Sequence, residues 1–274
     1  MELTGGVCVV TGASSGIGRR TALDLAAEGA RVCVVARRGA LLDELLAELG
    51  GGGEGHSVFV CDVADRDQVR ALADHVGTTY QRCDVLVNSA GYSDSGAFEG
   101  PDDIDRLEQV MAVNFYGTVY CTGELLPLIE QSAPSSIVNI SSMAGRLGLG
   151  GSAPYCASKF AVCGFSESLH LDLASRGVCV SLIEPGLIPT DGFPHAGLQR
   201  DAVMQHALGT VEDVTAAIID AIRKGRAERV VPRWYHLLQL PRIVAPPLYR
   251  LAAVRLNEGR KRRREENSTE EGAT

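Results

Sequence analysis

The chain has 274 residues, of which 45% are hydrophobic and 22% charged, and this balance fits one large α/β domain better than two small ones. The net charge of −8 argues against nucleic acid as the main partner. The six histidines show no metal-ligand spacing, and no apolar run approaches the roughly 18 residues of a membrane span. We therefore expect neither a metal centre nor a simple transmembrane helix.

The eight cysteines form no CxxC pair and fall in or beside apolar strand-like and helical runs. Such placement is typical of buried free thiols in a reducing compartment rather than of disulfides. The first strand begins at about Val7, with no apolar leader before it. The sequence therefore predicts a cytoplasmic protein.

A short apolar strand at residues 7–10 opens into a glycine-rich turn from Thr11 to Gly18, and a helical pattern follows to Glu28. Glycines let the backbone approach a pyrophosphate, and the free N–H groups of the helix start face its negative charge. The spacing is Gly-x3-Gly-x-Gly rather than GxGxxG. The turn predicts a dinucleotide phosphate site, although a glycine turn by itself is weak evidence.

The second strand, at residues 31–36, ends in neutral Ala36 and is followed by Arg37 and Arg38. A site that prefers NAD usually places an acid here for the ribose 2′-hydroxyl. Two guanidinium groups suit a 2′-phosphate instead, so the sequence favours NADP(H) over NAD(H). A solvated charge pair at a strand end is the alternative interpretation.

The rest of the chain continues the alternation of apolar strands and amphipathic helices. Strands are predicted at 57–61, 84–87, 137–140, 178–183 and 229–231, and helices at 41–49, 66–76, 102–130, from Tyr155 to about 175, and 211–224. This pattern predicts a single-domain, Rossmann-like, doubly wound parallel sheet of about seven strands with helices on both faces. Ligands bind such sheets beyond the carboxyl ends of the strands.

Asp62 ends the third strand, where its carboxylate could accept a hydrogen bond from an adenine amino group. Equally, Asp62 or Asp65 could only cap the helix that follows. Both interpretations stay open at this point.

The segment from Ser141 to Lys159 carries the candidate catalytic groups. Tyr155 and Lys159 are four residues apart, so a helix places both side chains on one face. The ammonium would favour the phenolate and lower the pKa of the tyrosine, while Ser141 or Ser142 could hold a carbonyl or alcohol oxygen. Such a trio can move the proton that accompanies a hydride transfer. A surface Tyr/Lys pair is the alternative.

Together these motifs resemble the classical short-chain dehydrogenase/reductase family from about Val7 to Thr190, and more loosely to about Val231. The family's TGxxxGxG motif corresponds to Thr11, Gly12, Gly16 and Gly18, and its NNAG motif corresponds to Asn88 to Gly91. Its helix asparagine and its serine correspond to Asn114 and Ser142. Its YxxxK motif corresponds to Tyr155 and Lys159, and its PGxVxT motif to Pro185 to Thr190. Ser89 departs from the second asparagine of NNAG, and Pro189 offers no N–H in the last motif.

The resemblance implies roles for these residues. Tyr155 would be the general acid/base, Ser142 would hold the substrate oxygen, and Lys159 would lower the tyrosine's pKa and bind the nicotinamide ribose. Asn114 would orient a water in the proton relay. The other cofactor-binding residues would be Gly12, Ser14, Ser15, Gly16, Ile17, Gly18, Arg37, Arg38, Asp62, Val63, Asn88, Ala90, Gly91, Pro185, Gly186, Ile188 and Thr190.

In the family, the segment at 191–208 covers the substrate. Apolar residues on it and on a second loop indicate a hydrophobic ketone or alcohol as the small-molecule substrate: Phe193, Leu198, Val203, Met204 and Leu208, with Tyr92 and Phe98. Packing of these residues onto the body of the protein is the alternative.

Beyond a catalytic domain at 1–232 lie an apolar and basic extension, 233–264, and a polar end, 265–274, that is predicted to be disordered. One interpretation is a tail that docks on a subunit partner or roofs the substrate pocket. The other is an interfacial anchor that gives peripheral membrane contact, with the run from Arg260 to Arg264 on anionic headgroups. The resemblance also implies a homodimer or homotetramer through helices near 104–130 and 154–175.

The sequence thus predicts an NADP(H)-dependent oxidoreductase that interconverts a ketone or aldehyde and an alcohol. An NAD-dependent hydroxy-compound dehydrogenase, a non-catalytic nucleotide-binding scaffold and a membrane-surface interaction protein are the alternatives. A scaffold would need only the glycine turn, so the presence of Asn114, Ser142, Tyr155 and Lys159 argues against it.

Overall fold

A computed structural model of the chain describes residues 1–94, 96–189 and 208–271, with side chains through Gly259. The chain divides into two compact units, Met1–Arg233 and Trp234–Thr274. The first unit contains the sheet and the predicted site, and the second is helical.

Strands and helices alternate through the first unit. The strands are β1 (Val7–Thr11), β2 (Arg31–Ala36), β3 (Ser57–Val60), β4 (Val85–Asn88), β5 (Ser135–Ile140), β6 (Val178–Pro185) and β7 (Glu228–Val231). The helices of the described part are α1 (Gly16–Ala27), α2 (Gly39–Glu48), α3 (Arg66–Tyr80), α4 (Asp103–Met111), α5 (Gly117–Gln131), α6 (Ala153–Leu173) and α7 (Val211–Lys224).

The seven strands form one parallel sheet in the order β3-β2-β1-β4-β5-β6-β7. Alternate residues of β1 face opposite sides, so Cys8 and Val10 pack in one apolar core while Val7 and Val9 pack in another. Both faces of the strand are therefore covered, and the predicted doubly wound α/β fold is confirmed. The strand order reverses between β1 and β4, which is where such sheets bind ligands.

The segment predicted as one or two helices at 102–130 is divided by a change in backbone winding. A π-helical turn at Ala112–Tyr116 joins α4 to α5. A turn of this kind inserts an extra residue and re-aims the side chains within it, which is common at functional sites. Asn114 lies in this turn and is buried.

The second unit is helical in its described residues apart from Ala245. A 3₁₀ segment at Arg233–Gln239 leads into α8 (Leu240–Val244) and α9 (Pro246–Glu271). Helix α9 therefore runs into the segment whose composition predicts disorder. A polar composition argues against a packed core, but Arg, Lys and Glu are good helix formers.

The sequence also led to expectations about cysteines, metal ligands and membrane-spanning helices. All eight cysteines are free, and seven of them are buried, which confirms the prediction of buried thiols. Within the described residues, no group of His, Cys, Asp or Glu side chains could hold a metal ion. None of the helices searched in that same part of the chain is long and apolar enough to cross a membrane.

Candidate active site

The glycine turn packs directly against the segment after β4. A Cβ on Gly12 would lie 2.8 Å from the backbone N of Ala90, and Gly12 has a φ of +68°, so both space and conformation require glycine. The hydroxyl of Thr11 accepts hydrogen bonds from the N–H groups of Ser89 and Ala90, each at 3.1 Å. The turn and the segment from Asn88 to Gly91 therefore form one rigid edge beyond β1 and β4.

The start of helix α1 is open to an anion. Its N-cap residue, Ser15, makes no side-chain hydrogen bond to the first turn of the helix. Arg38 reaches back from β2, and its Nη2 donates to the hydroxyls of Ser14 at 2.8 Å and Ser15 at 2.9 Å. A positive charge and unpaired helix N–H groups thus meet at the turn, which suits phosphate.

Arg37 and Asp62 both line a cleft of about 410 Å³ beyond β2 and β3. Their side chains form an exposed ion pair, with 3.7 Å between Nη1 and Oδ2. Asp65 caps α3 because its carboxylate accepts from the N–H groups of Asp67 and Gln68, while the carboxylate of Asp62 accepts from the N–H of Ala64, which lies before the helix, at 3.0 Å. Of the two candidate caps, Asp65 is therefore the cap, and Asp62 lines the cleft.

Asn114 is held by bonds from three directions. Its Oδ1 accepts from the N–H of Tyr92, and its Nδ2 donates to the carbonyl of Tyr92 and to the hydroxyl of Ser158, all at 3.0 Å. Gly91 lies beside it, since a Cβ there would be 3.0 Å from Oδ1 of Asn114 and 3.6 Å from Nζ of Lys159. The π-helical turn thus places Asn114 next to the lysine.

Tyr155, Lys159 and Ser142 come together as the spacing predicts. Helix α6 carries Tyr155 and Lys159 on one face, with Nζ of Lys159 5.8 Å from the centroid of the Tyr155 ring. Ser142 caps the short 3₁₀ turn Met143–Gly145 after β5, accepting from Ala144 at 3.1 Å. Its hydroxyl is also close enough to Tyr155 to influence the pKa of the phenol. Ser141, the other candidate, points away and donates to the carbonyl of Lys159 at 3.0 Å.

The titration of this group differs from the expectation in one respect. Burial raises the pKa of Tyr155 above its usual value, and the hydrogen bond with Ser142 only partly opposes this. The predicted lowering by Lys159 is not among the causes that shift the pKa of Tyr155. Burial also lowers the pKa of Lys159 itself, to about 8. Its ammonium donates to the carbonyl of Ile140 at 2.9 Å.

Comparison with known proteins agrees with this geometry. The short chain dehydrogenase family matches residues 6–200. D-threitol dehydrogenase of Mycolicibacterium smegmatis is 37% identical over 190 residues, which is 69% of this chain and 73% of that protein. The 3-oxoacyl-[acyl-carrier-protein] reductase of Synechocystis sp. is 39% identical over 191 residues, 69% of this chain and 76% of that one. The chain belongs to the short-chain dehydrogenase family.

A third relative extends further along this chain. The probable oxidoreductase EphD of Mycobacterium tuberculosis is 33% identical over 264 residues, which is 90% of this chain but only 44% of that protein. This match is longer than the catalytic unit, Met1–Arg233, so it includes part of the second unit. As a member of the short-chain dehydrogenase family, the protein is an oxidoreductase that acts on CH–OH groups with NAD(P).

An ion pair next to the site of this short-chain dehydrogenase was not predicted from the sequence. Glu184 is fully buried one residue before the end of β6, and Nε of Arg146 donates to its Oε1 at 2.5 Å. The thiol of Cys163 contacts the same oxygen at 3.5 Å and lies 3.2 Å from the hydroxyl of Ser141. Burial raises the pKa of Glu184, and Arg146 opposes that rise. An acid at the end of an apolar strand was the available signal.

These contacts tie three elements of the site together. Arg146 follows the turn that carries Ser142, Glu184 precedes Pro185, and Cys163 lies one helical turn beyond Lys159. The hydroxyl of Ser142 donates to the carbonyl of Pro185 at 3.4 Å. The buried pair therefore anchors the serine turn to both β6 and α6.

The remaining predicted cofactor residues fall into three groups. Gly16, Ile17 and Gly18 form the first turn of α1, and Asn88 ends β4 with its Nδ2 bonded to Thr122 and Asn139. Val63 and Ile188 are buried, so their side chains pack in the protein, and Pro185 and Gly186 end and follow β6. Thr190, and all of the predicted lid at 191–208 except Leu208, lie outside the described residues.

Proposed function

We propose that the protein is an NADP(H)-dependent oxidoreductase that interconverts a ketone or aldehyde and an alcohol on an apolar small molecule. The observation that carries the proposal is the contact between the Tyr155 and Ser142 hydroxyls beside Lys159. These two hydroxyl groups can both donate a hydrogen bond to the same substrate oxygen. A scaffold that only binds nucleotide has no use for this arrangement.

The site residues divide the proton chemistry among them. Ser142 holds the substrate oxygen by a hydrogen bond, and the Tyr155 hydroxyl donates its proton to that oxygen in reduction or removes it in oxidation. The raised pKa of Tyr155 keeps the hydroxyl protonated near neutral pH, which suits the reductive direction. Lys159 and Asn114 lie behind the tyrosine, where they position the proton path to solvent.

The glycine turn and its neighbours fit a nicotinamide dinucleotide. The pyrophosphate would lie at the open N-terminus of α1, and the nicotinamide ribose would lie against Tyr155 and Lys159. When bound, the nicotinamide supplies or accepts the hydride. The protein contributes the placement and the electrostatic environment.

The preference for NADP(H) is supported by the two arginines after β2. Arg38 already lies against the hydroxyls of Ser14 and Ser15, and Arg37 lines the cleft with an exposed side chain. A ribose 2′-phosphate between them would gain two charge-assisted hydrogen-bond partners. Asp62, the nearby acid, forms an exposed ion pair with Arg37, at 3.7 Å between Nη1 and Oδ2.

An apolar substrate is supported by exposed side chains on the described loops. Phe98 is 49% exposed and Leu149, on the loop between Ser142 and Tyr155, is 44% exposed. Tyr92 is exposed as well, but it lines the cleft with Arg37 and Asp62 and so lies nearer to the expected nucleotide. The D-threitol dehydrogenase and the 3-oxoacyl-[acyl-carrier-protein] reductase have similar sequence identity to this chain, 37% and 39%, so their names do not select a substrate.

We further propose a cytoplasmic homodimer or homotetramer that forms through α4, α5 and α6. Members of the family are typically oligomeric, and three large apolar side chains are exposed on or between these helices: Ile104, Tyr116 and Leu171. Light scattering of the purified protein, with Leu171→Asp as the disrupting variant, tests this arrangement.

The test of function is a turnover screen. Purified protein would be mixed with NADPH or NADH and a series of ketones and aldehydes of increasing apolar size, and nicotinamide absorbance followed. The proposal predicts oxidation of NADPH that becomes faster with the apolar members. Turnover only with NADH, or only of polar hydroxy compounds with NAD, would favour the NAD-dependent dehydrogenase instead.

A further inference from the structure

The second unit exposes apolar side chains to an extent that the catalytic unit does not. Among the described residues, 17 large hydrophobic side chains are exposed, and 10 of them lie between Trp234 and Leu256. They are Trp234, Leu237, Leu238, Leu240, Ile243, Val244, Leu248, Leu251, Val254 and Leu256. Isolated exposed apolar residues are normal on a protein surface, but such a concentration within 23 residues marks an interaction surface.

Helix α9 arranges part of this surface as a continuous stripe. Leu248, Ala252 and Leu256 follow one another at a spacing of four residues, and all three are exposed. Residues four apart lie on the same side of a helix. The neighbouring stripe, Tyr249 and Ala253, is only half-exposed.

The charge of this stretch is opposite to that of the chain as a whole. Residues 234–264 contain eight Arg or Lys residues and one acid, Glu258, in a chain of net charge −8. Arg242, Arg250 and Arg255 lie among the exposed apolar residues, and Arg260 to Arg264 follow them in sequence. The sequence becomes acidic only after Arg264, where Glu265 and Glu266 follow.

This charge pattern discriminates between possible occupants of the surface. A second copy of the chain in a two-fold contact would bring the same three arginines together with no acid among residues 234–256 to compensate them. An anionic lipid surface supplies both an apolar interior and the negative charge. The high exposure of Ile243 and Val244, at 69% and 77%, fits insertion between headgroups.

We propose that residues 234–264 bind the surface of membranes that contain anionic lipids, and so hold the catalytic unit at the source of an apolar substrate. The contact is peripheral, with the apolar side chains at the level of the headgroups and the basic residues against the phosphates. It does not depend on the proposed turnover, because vesicle binding is measured without substrate or nucleotide.

The experiment is flotation of the full-length protein with lipid vesicles in a density gradient, which separates bound protein from aggregates. Vesicles of phosphatidylcholine alone would be compared with an equimolar mixture of phosphatidylcholine and phosphatidylglycerol. We expect the wild-type protein to float with the mixed vesicles, less with the neutral ones, and less again as NaCl is raised.

Two variants and a matched control assign the contact. Ile243→Asp with Leu248→Asp should reduce the floating fraction at least about tenfold, and so should Arg262→Glu with Arg263→Glu. Val60→Asp, a single apolar-to-aspartate change at a 55% exposed position of the catalytic unit, should float like the wild type. Ile243, Leu248 and Val60 are exposed in the structure, so their replacement should change the thermal midpoint little.

Three results would overturn the proposal. They are wild-type protein that stays at the bottom of the gradient, equal flotation with both lipid compositions, and aspartate variants that float like the wild type. If the aspartate variants instead lower the molar mass by light scattering without any flotation of the wild type, the apolar residues cover a second copy, and the membrane proposal is wrong.

Discussion

Two groups of residues beyond the carboxyl ends of the strands are held in different ways. They are the proposed catalytic residues, which include Asn114, Ser142 and Lys159, and the arginine pair, Arg37 and Arg38. Asn114 and Lys159 are buried and bonded to backbone atoms, and Ser142 caps its own turn. Arg37 and Arg38 are exposed, and their partners are side chains: Asp62, Ser14 and Ser15. The proposed chemistry therefore involves residues of the interior, while the proposed nucleotide selection depends on surface side chains that a ligand can rearrange.

The difference predicts unequal consequences of substitution. A change in the buried group should affect turnover or folding without altering which nucleotide binds. A change in the arginines should alter nucleotide preference while leaving folding and the proton transfer intact. The following changes test this contrast in order of expected effect.

Tyr155→Phe removes the proton donor and keeps the ring. Turnover should fall by about 10²- to 10⁴-fold, because general acid catalysis contributes that much, while NADPH binding stays near the wild-type value. Steady-state kinetics and fluorescence titration measure the two quantities. Tyr120→Phe, which removes a hydroxyl from α5, is the control and should be neutral; near-normal turnover of Tyr155→Phe would refute the assignment.

Arg146→Met leaves the carboxyl group of Glu184 buried without its positively charged neighbour. Breaking a buried ion pair from one side costs up to about 3–5 kcal/mol of unfolding free energy, and the raised pKa of Glu184 reduces this cost because the carboxyl can take up a proton. Glu167→Gln removes a 56% exposed partner of the same guanidinium and should cost less than about 1 kcal/mol. Urea unfolding compares them, and equal losses in the two variants would show that Glu184 does not anchor the serine turn.

Arg37→Ser combined with Arg38→Ser removes both proposed contacts of the 2′-phosphate. Each charge-assisted hydrogen bond contributes about 1.5–3 kcal/mol, so losing both should lower NADPH affinity by about 10²- to 10⁴-fold, while NADH affinity should hardly change. Arg66→Ser on α3 is the control, since it removes an exposed arginine from another site. An equal loss for both nucleotides would contradict a role in selection.

Lys159 predicts a pH dependence of stability in protein without nucleotide. Its pKa is about 8 when folded against 10.5 as the unperturbed value, so between these pH values the unfolded state binds more protons. The unfolding free energy should therefore rise with pH across that window, by at most about 1.4 kcal/mol per pH unit from this group. Lys159→Met should remove this part of the slope, whereas Lys224→Met, at an exposed position, should leave it unchanged.

Much of the fold and the site could be predicted because the signals were local. The valine-rich strands, the positive-φ glycine at Gly12 and the four-residue spacing of Tyr155 and Lys159 each determine structure within a few residues. The π-helical turn around Asn114 was not predictable in this way. The hydrogen bonds that stabilise Asn114 in this turn are made with Tyr92 and Ser158, which are distant from it in sequence.

The buried pair of Arg146 and Glu184 was missed for the same physical reason. The two residues are 38 positions apart, and only the pairing of β5 with β6 brings them together. The pKa of Tyr155 was predicted in the wrong direction, since sequence spacing reports a neighbouring charge but not the desolvation that outweighs it.

The most direct test of the account is a titration of the purified wild-type protein with NADPH and with NADH, followed by nicotinamide fluorescence. Arg38 against the glycine turn and Arg37 beside Asp62 predict tight binding of NADPH and weak binding of NADH. Tighter binding of NADH would contradict the selection by the arginine pair. Binding of neither would contradict the reductase itself.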